Sequence, residues 1–358
     1  MIFKTRSYIT HATNLGFSRR DFLKASSAGL LGLFLADLRL ERSFAAETIP
    51  KQGRSTLSGV ELLSEPSFKA KKIRVFGRDE VMDINGEAQG DYGYGNPFNS
   101  TWYQIDGGGY AYSGAIQPVE TLHQKPVFEI PEMGVLGEIT VPFSDTRRAS
   151  SVFADRGYRV YFSSTHWITG FVVNRDEKSI WDMIYDRQSK ELLYIAAHQM
   201  RVISPDELTI LSPEVQEDNK RIYVDLATQL VTAFEGENSV LVARCSSGSK
   251  GTTTPLGEFR TYHKGPSIHM TNQGDGTDNT YHLPGVPWVS FFTGTGVAFH
   301  GTYWHNDYGR PSSRGCVNLT SKDAKFIYRW TRPEVPIGTP YLNLPGEGTF
   351  VQVVPSSQ

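Results

Sequence analysis

Between Gly59 and Val119 the chain reads as short strands separated by turn residues, with no helical periodicity. Ile73-Arg74-Val75-Phe76 alternates apolar and polar, and Asn85-Gly86 marks a turn. Trp102 to Asp106, then Gly107-Gly108-Gly109, then Tyr110-Ala111-Tyr112 predicts a hairpin. A small β-barrel over residues 59–120 is the natural way to bury one face of such strands. A fainter copy follows: Trp181 to Asp186, Leu193 to Ala196, then Met200-Arg201-Val202, with a longer tip at Arg187 to Glu191 and a further strand at Arg156 to Phe162. Residues 121–205 are therefore either a second barrel of the same kind or an irregular β-domain. Pro205-Asp206-Glu207 and Ser212-Pro213-Glu214 bracket a linker. A third pattern then runs over residues 218–354. Arg221 to Leu226 is a strand, Ala227-Thr228-Gln229 a turn and Leu230 to Phe234 the returning strand. One helix is predicted at Ser321 to Trp330, with Ser321 as N-cap and Ala324, Ile327 and Tyr328 on its apolar face.

The N-terminus reads as a targeting segment. Ser18-Arg19-Arg20-Asp21-Phe22-Leu23-Lys24 has the pattern of a twin-arginine export signal, and an apolar stretch follows from Ala25 to Leu38. That stretch is shorter than the roughly 20 residues a comfortable membrane span needs. Ser43-Phe44-Ala45 suits signal cleavage after Ala45, with an uncleaved anchor or a short buried helix as the alternatives. Loss of residues 1–45 removes seven basic and three acidic side chains, taking the formal charge from −2 to −6. A mildly acidic mature chain with no basic cluster argues against nucleic acid as a partner.

The chain has two cysteines. Cys245 ends a strand-like apolar run and reads as a small buried hydrophobe. Cys316 follows Gly315 in a turn-like stretch, sixteen residues after His300. A thiol nucleophile needs a base to take its proton and donors to meet the charge that develops on the attacked carbonyl oxygen. His300 can be that base, and Gly315 clears side-chain bulk beside the thiol. A Cys245–Cys316 disulfide would consume the nucleophile and is not expected. His305 is the competing base or a pocket residue. Tyr281, Trp288, Phe291 and Trp304 flank the site in sequence and serve either as a substrate wall or as core. His263, His269 and His282 fit no common zinc spacing, and Asp275-Gly276-Thr277-Asp278 lacks the later acidic ligand of a calcium loop. No metal or cofactor is expected.

These motifs resemble the signature of the YkuD-type L,D-transpeptidases. His300-Gly301 and Ser313-Arg314-Gly315-Cys316-Val317-Asn318 match its core, with Arg314 where many members have His. Ile222 to Leu226 with Gln229, Ser246-Ser247-Gly248 and Thr254-Pro255-Leu256-Gly257-Glu258-Phe259 look like its other segments, in order, across residues 218–345. The earlier segments resemble bacterial SH3-like domains. The resemblance implies a mainly β chain: one or two SH3-like barrels, then a β-sandwich catalytic domain with a short helix. It also implies an exported enzyme acting on peptidoglycan stem peptides. Cys316 would form a thioester with loss of terminal D-Ala, and a second stem's amine would complete a 3→3 cross-link. In that scheme Gly301 orients His300, Ser313 supports the pocket, Asn318 braces the loop, and Arg314 contributes its backbone while its side chain is left to contact an acidic group. Resolution of the acyl-enzyme by water, giving an L,D-carboxypeptidase, and a wall-binding module with little catalysis are the alternatives.

Overall fold

Four sheets and one α-helix account for the regular structure of the computed structural model, which describes residues 49, 51–272 and 281–355. The export segment and Asp275 to Asp278 lie outside the described residues. No helix among the described residues is long and apolar enough to cross a membrane.

The first sheet holds Gln52–Ser55 (β1), Val60–Leu63 (β2), Lys72–Phe76 (β3), Val81–Gln89 (β4), Thr101–Ile105 (β5), Tyr110–Tyr112 (β6) and Ile116–Val119 (β7), in the order β3-β2-β6-β5-β4-β1-β7. The second holds Val135–Ile139 (β8), Phe143–Arg147 (β9), Arg156–Tyr161 (β10), Thr165–Asn174 (β11), Ser179–Asp186 (β12), Glu191–Ala196 (β13) and Met200–Val202 (β14), in the order β10-β9-β13-β12-β11-β8-β14. Strand for strand, the two orders are the same. A single 3₁₀ turn precedes the last strand in each, at Ser113–Ala115 and Ala197–Gln199. Trp102 and Trp181 occupy equivalent strands, so the faint echo in the sequence corresponds to one topology used twice. The β5–β6 hairpin turns on Gly107, Gly108 and Gly109, all at positive φ.

Alternation predicts burial well in β4, where Met82 and Ile84 point inward, and poorly in β3. Ile73 and Val75 are half exposed and only Phe76 is buried, because β3 is an edge strand with a single neighbour.

The third sheet contains Lys220–Asp225 (β15), Leu230–Glu235 (β16), Asn238–Arg244 (β17), Gly257–Arg260 (β18) and, after the elements below, Phe350–Val354 (β24). The fourth contains His263–Thr271 (β19), His282–Phe291 (β20), Ala298–Gly301 (β21), Val317–Leu319 (β22) and Leu342–Asn343 (β23). Helix α1, Ser321–Trp330, leaves β22 directly. Ile222, Val224, Val231, Ala233, Val351 and Val353 of the third sheet share one core with Phe299, Val317 and Leu319 of the fourth and with Ala324, Ile327 and Tyr328 of α1. Each such aliphatic side chain contributes roughly 1.5–3 kcal/mol by leaving water. Leu136, Trp167 and Ile203 belong to this same core, so the second sheet is packed onto the sandwich rather than tethered to it.

Two local expectations are corrected. The N-cap of α1 is Thr320, one residue before Ser321. Its Oγ1 accepts the Asp323 N–H at 3.1 Å, and its backbone is extended. The segment read as a linker is pinned down. Glu207 pairs with Arg201 and Lys325 at 2.7 and 2.5 Å, and Arg329 donates to the Asp206 and Thr209 carbonyls. The C-terminal carbonyls of α1 are met by two buried cations. Lys220 Nζ reaches Trp330 O, and Lys264 Nζ reaches Tyr328 O and Thr331 O at 2.6 Å.

Candidate functional site

β21 and β22 are adjacent and parallel, with Phe299 opposite Val317, His300 opposite Asn318 and Gly301 opposite Leu319. Parallel neighbours need a crossover of a dozen or more residues. Residues 302–316 are that crossover, so the sixteen-residue spacing of His300 and Cys316 is what brings their strands side by side. Cys316 immediately precedes β22, and one further step of register sets it beside Ala298. Strand spacing and rise then put the His300 and Cys316 Cα atoms about 8 Å apart on one face.

Burial drives both groups toward their neutral forms. The His300 imidazole is held down to about 4 by burial, opposed by its contact with the Gly301 carbonyl. Its Nδ1 lies 3.0 Å from that oxygen, which fixes the proton on Nδ1 and leaves Nε2 as the acceptor. Burial pushes the Cys316 thiol up, while the Ala298 N–H pulls it down. The sulfur lies 3.8 Å from the Gly296 carbonyl. A side chain on Gly301 would strike Pro287 and Ser321, at 2.8 and 3.0 Å, which explains the glycine after the histidine.

The turn carrying Cys316 is built from the other sequence motifs. Ser313 Oγ accepts from Gly315 N–H at 3.1 Å and donates to Cys316 O at 2.5 Å. Thr254 Oγ1 accepts from Gly248 N–H at 2.9 Å and donates to Gly315 O at 2.7 Å. Ser247 O accepts the Ser312 and Ser313 N–H groups, and Gln229 holds Ser247 through its N–H and its hydroxyl, each at 2.8 Å. Ser246 and Asn318 exchange both backbone hydrogen bonds. Gly315 has φ +118°, a conformation side chains disfavour. Its N–H is spent on Ser313, so Gly315 shapes the turn and supplies no free donor.

His305 is half-buried, and desolvation lowers its pKa to about 4. Its Nδ1 lies 3.3 Å from the Asp307 nitrogen and its Nε2 lies 2.9 Å from Asn318 Nδ2. Both nitrogens are engaged, and the pair braces the crossover. Trp304 touches His300, with ring centroids 5.7 Å apart, and packs against the same buried cluster as Cys316. The exposed Arg314 guanidinium sits 4.9 Å over the Tyr281 ring. Phe291 stacks on His263 at 5.0 Å. Trp288 is fully buried against Tyr328 and Lys325, so it is core and no part of a substrate wall. Cys245 is buried, free and pushed up to about 12 by desolvation. His269 and His282 face each other at 4.2 Å with Asp186 on His269 Nδ1, yet no group of His, Cys, Asp or Glu among the described residues is arranged to hold a metal.

Sequence reasoning missed Asp307, in the middle of the crossover. Its buried carboxylate accepts from Asn96 Nδ2 and Tyr112 OH at 2.7 Å and from Asn99 Nδ2 at 3.3 Å, all from the first sheet's side. Arg310 pairs with its other oxygen at 2.6 Å. It also missed Arg54, a fully buried guanidinium that bonds Gln117, Asp79 and the Tyr303 carbonyl. Neither residue lies in a motif, and nothing local in sequence marks them.

Residues 219–353 match the model of the YkuD family, described as the L,D-transpeptidase catalytic domain. The chain carries a YkuD domain. Solved structures similar to it include an L,D-transpeptidase in complex with imipenem, at 14% identity over 49% of this chain and 91% of that one, TM-score 0.32. An L,D-transpeptidase from Mycobacterium smegmatis matches at 16% identity over 49% and 90%, TM-score 0.31. The catalytic domain of the E. faecium L,D-transpeptidase matches at 25% identity over 38% and 96%, TM-score 0.30. No curated relative matches the chain. The YkuD domain coincides with the third and fourth sheets and α1, and leaves the first two sheets outside it.

Proposed function

We propose that this chain is an extracytoplasmic L,D-transpeptidase that joins peptidoglycan stem peptides through a thioester on Cys316. The reading rests on one observation above the others: the parallel β21–β22 pair, which sets His300 and Cys316 on one face within a YkuD domain.

At neutral pH the pair is a thiol beside a neutral imidazole, since burial raises the one and holds the other at about 4. The proton therefore moves as attack occurs. Cys316 Sγ adds to the carbonyl carbon of the stem's third residue while its proton passes to His300 Nε2. The tetrahedral intermediate collapses, the bond to the terminal D-Ala nitrogen breaks, and His300 returns the proton to that leaving amine. An amine of a second stem then attacks the thioester carbonyl, gives a proton to His300, and expels the thiolate, which recovers it. One amide is exchanged for another, giving a 3→3 cross-link, and no cofactor is consumed. The Gly301 carbonyl keeps His300 in the tautomer this sequence needs.

The export pattern at Arg19-Arg20 supports action outside the cytoplasm, where such stems lie. The test is incubation of the protein with disaccharide-tetrapeptides and mass spectrometry of the products. Cross-linked dimers that vanish in Cys316→Ala are expected. Tripeptides without dimers would mean that water resolves the acyl-enzyme. Unchanged substrate with folded protein would end the reading.

A further inference from the structure

Behind Trp304 lies a cavity of about 180 Å³ where the first sheet, the second sheet and the YkuD domain meet. Arg54 and Arg78 enter it from the first sheet, Arg159 and Tyr161 from the second, and His282 and Trp304 from the YkuD domain. Three guanidinium groups line it and no carboxylate does. Asp79 answers Arg54 and Arg159 from behind, and Asp145 takes two more contacts from Arg159. Arg78 is left over. It is exposed and makes no hydrogen bond or ion pair with any described residue.

The position matters as much as the charge. One wall is Trp304, whose ring also touches His300. The cavity is thus one indole away from His300. Its volume equals that of about six water molecules, enough for a carboxylate and the short aliphatic stem that carries it. An unpaired guanidinium in a partly enclosed aromatic setting favours a planar anion that it can bind through two parallel hydrogen bonds.

We propose that this junction is a substrate subsite for a free carboxylate of an acidic peptide, with Arg78 as its counter-ion. About half of the residues that form it, including all three arginines, come from outside the YkuD domain, so it gives the two preceding sheets a role in substrate selection. The identity of the peptide as a stem rests on the function proposed above; the presence of a carboxylate subsite does not.

The test uses the full chain with Cys316→Ala, so that binding is read without turnover. Calorimetry compares a stem tetrapeptide bearing free carboxylates with the same peptide amidated at those carboxylates. The free acid is expected to bind about tenfold tighter, and Arg78→Glu in that background is expected to abolish the preference while leaving the amide's affinity unchanged. Because Arg78 is exposed and unpaired, its substitution should not move Tm. Equal affinity for the two peptides, or a preference that survives Arg78→Glu, overturns the subsite. Turnover is measured separately with Cys316 intact. Carboxylate-dependent binding without turnover keeps the subsite and removes the transpeptidase; turnover without carboxylate dependence does the reverse.

Discussion

Asp307→Ala removes the acceptor that ties the first sheet to the crossover between His300 and Cys316. Three donors then lose this acceptor: Asn96 Nδ2, which keeps the Tyr308 carbonyl, Tyr112 OH, which keeps the Asn99 carbonyl at 3.3 Å, and the weaker Asn99 Nδ2. A hydrogen bond to a charged acceptor is worth about 1.5–3 kcal/mol, but bonds that share one acceptor do not add. The Arg310 pair is more than a third exposed on the arginine side and contributes under about 1 kcal/mol. The expected loss is therefore about 3–5 kcal/mol, within the range for breaking a buried charged cluster from one side. Asp307→Asn keeps one carbonyl oxygen for Asn96 and Tyr112 at neutral strength and should cost about 1–2 kcal/mol.

Urea unfolding followed by intrinsic fluorescence reads the loss, and kcat/KM for muropeptide cross-linking reads its consequence. Activity should fall with stability, because Asp307 lies in the crossover that joins the His300 strand to the Cys316 strand. A double-mutant cycle isolates the contact. Tyr112→Phe should cost about 1 kcal/mol alone and nearly nothing after Asp307→Ala. If Asp307→Ala stays within about 0.5 kcal/mol of the parent, or if the two changes simply add, the carboxylate is not the clasp argued here.

Gly315→Ala forces a side chain into φ +118° and sets its Cβ 3.3 Å from Val297, so it should cost about 1–3 kcal/mol and lower kcat/KM at least tenfold; unaltered kcat/KM in a folded variant would show that the turn tolerates other shapes. Burial raises the Asp182 carboxyl to about 7. The folded state then holds a proton that the unfolded state releases, so this group's stability is complete below about pH 4 and is lost as pH rises through about 7. Asp182→Asn should raise the urea midpoint at pH 8 and leave it nearly unmoved at pH 4, and an equal shift at both would contradict the burial argument. With His300 at about 4 and the Cys316 thiol raised, kcat/KM should climb through about pH 4 and then stay flat across neutrality; a rise centred near pH 7 would assign the base elsewhere.

What the sequence discloses about this molecule is mostly local. The Gly107-Gly108-Gly109 hairpin, the Arg221 to Phe234 hairpin and the Ala324, Ile327 and Tyr328 face of α1 follow from turn chemistry and period. The site's backbone is also legible, because each motif occupies a position where only that residue type works. Gly301 lies against Pro287 and Ser321, Gly315 needs positive φ, and Thr254 bridges Gly248 and Gly315. The rest depends on contacts between residues far apart in the chain. Trp288 reads from its neighbours as either a substrate wall or core, and its packing against Tyr328 of α1 places it in the core. Leu136, Trp167 and Ile203 lie in the segment read as a separate domain, yet they join the core of the sandwich. Asp307 and Arg54 look like ordinary loop and strand charges until the first sheet is docked against the crossover.

That docking bears on how Cys316 is held. A crossover of fifteen residues without regular structure would ordinarily be the loosest part of such a sandwich, and here His300 and Cys316, the pair proposed for acyl transfer, lie at its ends. On one side the Gln229–Ser247–Ser313 chain and the Thr254 bridge fix the Cys316 turn to the third sheet. On the other, Arg54 bonds the Tyr303 carbonyl, Gly114 O accepts the Asn306 N–H at 3.1 Å, and Asn96 and Tyr112 hold Asp307. Tyr161 of the second sheet stacks on Tyr303 at 5.0 Å. The first sheet therefore grips the middle of the segment whose ends carry the chemistry, and a change at Asn96, more than two hundred residues away in sequence from Cys316, should act on turnover through the crossover rather than through any contact with substrate.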